Sequence, residues 1–129
     1  MIRIAFLASF TLSSGALACP APPDATRLAP EVDHAPLAYV EMDEPPLSAP
    51  FAITVTFCHP NRQIETLMFD ALMPAHRHGM NFTVDVNKIA NNRFEVSNIV
   101  FHMPGLWEIR VKAETARRNY TYTAEVPLK

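Results

Sequence analysis

From Phe51 onward the chain alternates apolar and polar residues with a period of two. Phe51, Ile53, Val55 and Phe57 stand on one side of a strand, and Ala52, Thr54 and Thr56 on the other. Leu67, Phe69, Ala71 and Met73 repeat the pattern, as do Phe82, Val84 and Val86. Phe94 and Val96 open a run that reaches Phe101, with a change of apolar parity that predicts a bulge near Asn98. Trp107, Ile109, Val111 and Ala113 alternate with Glu108, Arg110 and Lys112, and Tyr120, Tyr122, Ala124 and Val126 close the chain. No helical stripe of any length occurs. Period-two signals at short, regular spacing predict an all-β fold, and six strands plus an apolar segment at 37–42 give about seven. That is the count of an immunoglobulin-like antiparallel β-sandwich.

Upstream the pattern breaks. Between Pro20 and Pro50 stand eight of the twelve prolines, including the Pro22-Pro23 and Pro45-Pro46 doublets. Proline fixes φ and removes a ladder donor, so 19–49 is expected to be an extended, proline-rich leader. The segment Leu37-Ala38-Tyr39-Val40-Glu41-Met42 is its candidate edge strand, and the folded domain is expected over 50–129.

The first eighteen residues have a different character. Arg3, an apolar run from Ile4 to Leu12 and the small-residue ending Ala16-Leu17-Ala18 form a secretory signal peptide, 1–18, with cleavage before Cys19. The apolar run is too short for a permanent bilayer span. Periplasmic or otherwise exported localisation follows, with lipidation of Cys19 as an alternative anchor. The two cysteines, Cys19 and Cys58, are expected to pair in an oxidising compartment, the alternative being an unpaired, buried Cys58.

Composition narrows the function. A formal net charge of −2 argues against a nucleic-acid partner. Three glycines, one of them in the signal peptide, leave no Gly-rich phosphate loop. The other two, Gly79 and Gly105, punctuate the segments Met73-Pro74-Ala75-His76-Arg77-His78-Gly79-Met80 and His102-Met103-Pro104-Gly105. These two stretches hold three of the five histidines and three of the six methionines. Thioether sulfur selects Cu(I), and imidazole suits copper in either oxidation state, so mixed His/Met loops point to copper before zinc, calcium or magnesium. If consecutive strands run antiparallel, the two loops fall at one pole of the sandwich, and Cys58 and His59 fall at the other. The candidate ligands are His76, His78, Met80, His102 and Met103. Each has a plainer reading beside it: His76 and His78 as solvated loop residues, His102 as a partner of a loop carbonyl, and Met80 and Met103 as core. Met73 continues an apolar face and is a core methionine or a ligand.

The segments Asp70-Ala71-Leu72-Met73-Pro74-Ala75-His76-Arg77-His78-Gly79-Met80-Asn81 and Phe101-His102-Met103-Pro104-Gly105-Leu106-Trp107-Glu108 resemble the YtkA-like (FixH-related) family of exported or membrane-anchored bacterial domains. The similarity spans roughly 50–126. It implies a β-sandwich and an association with copper handling and respiratory oxidase assembly. By motif match it carries over His76, His78, Met80, His102 and Met103, with Met73 as core support. Arg77, a fixed cation between two of these ligands, is at odds with a metal site unless its side chain turns away.

The expected function is therefore an exported copper-binding protein, a chaperone or delivery factor that hands copper to a protein recipient or membrane partner. The alternative is a metal-free sandwich that docks an envelope or respiratory partner. Catalysis is not expected, because no Ser/His/Asp or Cys/His pairing is evident.

Overall fold

A computed structural model describes residues 19–59 and 61–129 of the chain; the expected signal peptide, 1–18, lies outside the described residues. In chain order the strands are β1 (Thr26–Arg27), β2 (Ala29–Pro30), β3 (Leu37–Glu41), β4 (Phe51–Cys58), β5 (Thr66–Met73), β6 (His78–Gly79), β7 (Asp85–Ala90), β8 (Arg93–Ile99), β9 (Gly105–Glu114) and β10 (Asn119–Leu128). They form two antiparallel five-stranded sheets, ordered β1-β3-β4-β8-β7 and β2-β10-β9-β5-β6. Seven of these strands are five residues or longer and three are two-residue pieces, so the architecture is the predicted all-β, immunoglobulin-like sandwich with short additions.

The inward residues are those the alternation selects. Ile53, Val55 and Phe57 of β4 and Phe94 and Val96 of β8 face Leu67, Ala71, Ile109, Val111, Tyr120 and Tyr122 of the other sheet, all buried. Aromatic contacts knit the layers, with Phe57 set against both Phe94 and Tyr122. The buried Tyr122 hydroxyl donates to the Pro36 carbonyl at 2.9 Å, which satisfies its polar tip.

The bulge sits where the parity change placed it. Ile53 pairs Val96 but Phe51 pairs Ile99, so β8 carries one extra residue, and Asn98 adopts a φ of 61°. Asn tolerates that left-handed conformation, and its amide donates to the Thr83 carbonyl at 2.9 Å.

Two segments differ from expectation. Residues 26–30 join the sandwich ahead of β3, which is the strand expected at 37–42: β1 pairs β3 in one sheet, so β3 is not its edge, and β2 pairs β10 in the other, so the chain changes sheets at Leu28. Leu28 is buried between the layers, and its amide donates to the Ala38 carbonyl at 2.9 Å. Burying one such side chain stabilises by roughly 1.5–3 kcal/mol, and buried Ala38 and Val40, the strand pairings and the disulfide add to it in holding the proline-rich segment. Pro30 is tolerated because β2 is an edge strand. The strand expected at 82–86 runs instead over Asp85–Ala90. The two-residue Asn91-Asn92 turn pins its register to β8, and as an edge strand with both faces largely exposed it shows little apolar alternation.

Cys19 and Cys58 form a disulfide, with their Cα atoms 5.6 Å apart. It ties the start of the described chain to the end of β4.

Candidate functional site

β5 ends and β9 begins at the same pole. Their pairing runs from Thr66 opposite Glu114 to Leu72 opposite Glu108, which brings Met73 alongside the start of β9. β6 folds back on β5 with His78 opposite Met73 and Gly79 opposite Leu72. The 73–80 and 102–105 segments are therefore neighbours, and Cys58 and His59 lie at the other end of the sandwich. Two strand spacings separate β6 from β9, or about 10 Å between backbones.

The hairpin that carries His76 and His78 is tightly closed. The amides of His76 and Arg77 both donate to the Met73 carbonyl, at 3.2 and 2.8 Å, and Arg77 takes a φ of 54°. That places His76 and His78 in near-stacked orientation, with ring centroids 6.3 Å apart and planes at 25°. Both are exposed. Residues directly opposed across an antiparallel pair share a face, so His78 shares the inward side with Met73 at the rim of the sheet. Met80 follows on the same side, partly buried against the core, its amide donating to the Ala71 carbonyl at 3.3 Å.

The second loop is organised by Trp107, the only tryptophan in the chain. Its indole N–H donates to the Met103 carbonyl at 2.9 Å. One face stacks on Phe101 at 4.6 Å between centroids, and the His102 ring meets it edge-on at 5.4 Å. Met103 is partly buried against the core. Met73 is fully buried, as the core reading has it. The Nδ1 atom of the half-buried His102 lies out of solvent with no hydrogen-bond partner, so its predicted alternative, a bond to a loop carbonyl, is not made at that nitrogen. An unsatisfied buried nitrogen costs about 1–3 kcal/mol, which a ligand would recover.

The pole thus gathers two imidazoles on one hairpin, a third with an orphaned nitrogen on the adjacent loop, and two thioethers resting on the core. Among the described residues, no three His, Cys, Asp or Glu side chains converge closely enough to hold an ion by themselves. The thioethers of Met80 and Met103 are the other donors this pole offers, and thioether sulfur suits a soft cation. Gly105 adopts a φ of 130°, whereas Gly79 has no unusual conformation, so only one of the two loop glycines is required by its backbone.

The organising role of Trp107 was not apparent from alternation, although a buried indole N–H usually has an acceptor beside it. No family model, curated protein or solved structure matches the chain.

Proposed function

We propose that this protein binds copper at the His/Met pole and delivers it to a protein recipient outside the cytoplasm. The observation that carries the reading is the orphaned Nδ1 of His102, buried in a loop that also presents Met103. His78 and His102 would be the principal donors, with Met80 and Met103 biasing the site toward Cu(I) and the exposed His76 serving as an exchangeable ligand. Copper is cargo in this reading. A rim site with exposed imidazoles suits its transfer, because ligands can be replaced one at a time. The paired motifs resembling YtkA-like domains support the same assignment.

The test is Cu(I) binding under ascorbate, a reductant chosen to spare the Cys19–Cys58 bridge, since freed thiolates would bind Cu(I) themselves. Near-stoichiometric binding is expected for the wild type and its loss in a folded His78→Ala/His102→Ala variant. Equal binding by the two proteins overturns the proposal.

A second reading rests on β7. This edge strand is exposed along most of its length, with Ile89 on it and Phe82 before it both about half exposed. Such an edge could accept a strand from a partner without any metal. Partner binding that survives a strong copper chelator and is lost on introducing a proline into β7 would favour it.

A further inference from the structure

At the disulfide pole, remote from the His/Met loops, a cleft of about 480 Å³ opens between the β4–β5 connection and the β9–β10 turn. Three arginines line it: Arg62 from the first segment, and Arg117 and Arg118 from the second. None of the three makes an ion pair among the described residues, where the ion pairs are Arg93–Glu41, Arg110–Glu108 and Lys112–Glu114. Three unpaired guanidinium groups around one cleft stand out on a chain whose formal net charge is −2.

The cleft is held in shape. The Arg62 guanidinium donates to the hydroxyl of Tyr120, whose ring is buried. Arg118 reaches the His34 ring at 3.3 Å. Thr115 fixes the turn: its hydroxyl donates to the Arg118 carbonyl at 2.9 Å and accepts the Arg118 amide at 3.0 Å. The Arg62 and Arg118 side-chain contacts each use one guanidinium nitrogen and leave further N–H groups free. Glu65 is the one carboxylate on the lining. The nearby Glu114 is committed elsewhere, to the Thr66 hydroxyl at 2.8 Å and to Lys112 at 3.2 Å.

We propose that this cleft binds a phosphate group. A carboxylate satisfies one guanidinium fork in a single plane, whereas the non-bridging oxygens of a tetrahedral phosphate, two in a diester and three in a monoester, splay outward and can engage more than one. The volume admits a phosphate ester rather than the bare ion alone. Two sources present that chemistry, a soluble phosphate ester and a phospholipid headgroup, and the site is independent of the copper reading.

The test titrates the protein with inorganic phosphate at constant ionic strength, following the arginine Nε–H resonances, and measures co-sedimentation with vesicles containing phosphatidylglycerol or phosphatidylcholine alone. Phosphate is expected to shift the Arg62, Arg117 and Arg118 signals, with acetate much weaker. Arg117→Gln/Arg118→Gln should weaken binding at least tenfold. Arg117→Lys/Arg118→Lys, which keeps the charge and loses the fork, should fall between the two. Binding to phosphatidylglycerol vesicles that phosphate competes away assigns the headgroup, and phosphate binding without vesicle binding assigns a soluble ester; either supports the proposal. No response to phosphate or anionic vesicles in the wild type, or equal responses in wild type and the glutamine variant, overturns it.

Discussion

A Cβ placed on Gly105 would lie 2.7 Å from Cε of Met73, so the end of β5 and the start of β9 meet without room for a side chain. This contact joins the two His/Met loops. Gly105 also holds a φ of 130°, which L side chains rarely adopt. Met73 has a flexible terminus and can yield, so backbone strain is the larger obstacle, at about 1–3 kcal/mol. Gly105→Ala should lower stability in urea by that amount. At Gly79 a Cβ would meet only the Ala71 carbonyl at 3.8 Å, an ordinary contact. Gly79→Ala should therefore stay within about 0.5 kcal/mol of wild type. Equal costs at the two positions would contradict this assignment.

Trp107 gives the copper proposal an optical readout. It is the sole tryptophan, and the His102 ring packs against it in a T-shaped contact. Copper bound through His102 should quench its fluorescence in proportion to occupancy, and His102→Ala should abolish the quench while leaving the emission maximum blue-shifted. Trp107→Phe would strand the Met103 carbonyl and leave a gap beside Phe101, costing about 2 kcal/mol in a urea titration.

Most of the fold was legible because one face of each long strand is buried. Period two alone places Ile53, Val55 and Phe57, and the parity change places the Asn98 bulge. Strand counting also brought the two His/Met loops to one pole. The strands that escaped are short or exposed: β7 buries neither face well, and β1, β2 and β6 have two residues each. Proline density marked 19–49 as a leader, but Leu28, Ala38 and Val40 outweigh it by filling the space between the sheets. Within the candidate site, residue type pointed to His102. The isolation of its Nδ1 depends on the packing around Trp107, which no linear pattern carries.

The disulfide should stabilise the whole domain rather than merely tether a leader, because Ala38 and Val40 downstream of Cys19 lie in the core. The cysteines are 39 residues apart, and closing a loop of that length is worth about 4 kcal/mol on chain-entropy grounds. Cys19→Ser/Cys58→Ser should unfold in one cooperative transition at a markedly lower temperature. A separate early transition confined to 19–41 would argue instead for a detachable leader.

Tyr122 makes the protein sensitive to alkali. Burial, and secondarily the neighbouring Tyr120, push its phenol well above the ordinary value of 10.0. Above that pH the native state keeps a proton that the unfolded chain releases, so stability falls as pH rises, by at most about 1.4 kcal/mol per pH unit. The contribution is complete below about pH 10 and is lost progressively toward the raised value. Urea midpoints measured at pH 8, 10 and 11 should decline mainly across the last interval. In Tyr122→Phe that decline should be shallower, on top of a pH-independent loss from the unsatisfied Pro36 carbonyl.

Asn92 is the clamp that shapes the phosphate cleft from behind. It sits in the β7–β8 turn with a φ of 57°, a conformation Asn adopts more readily than most residues. Its Oδ1 accepts the Ile64 amide at 2.8 Å, and its Nδ2 donates to the Arg62 and His59 carbonyls at 3.0 and 3.3 Å. One side chain thereby fixes the connection that carries Arg62. Asn92→Asp keeps the acceptor and the backbone preference but sets a carboxylate oxygen against two carbonyls. It should cost about 2 kcal/mol and speed hydrogen exchange at the Ile64 amide. The adjacent Asn91 is exposed and holds no side-chain hydrogen bond among the described residues, so Asn91→Asp should change neither quantity. Phosphate affinity should follow the same contrast, weakened in Asn92→Asp through displacement of Arg62 and nearly unchanged in Asn91→Asp.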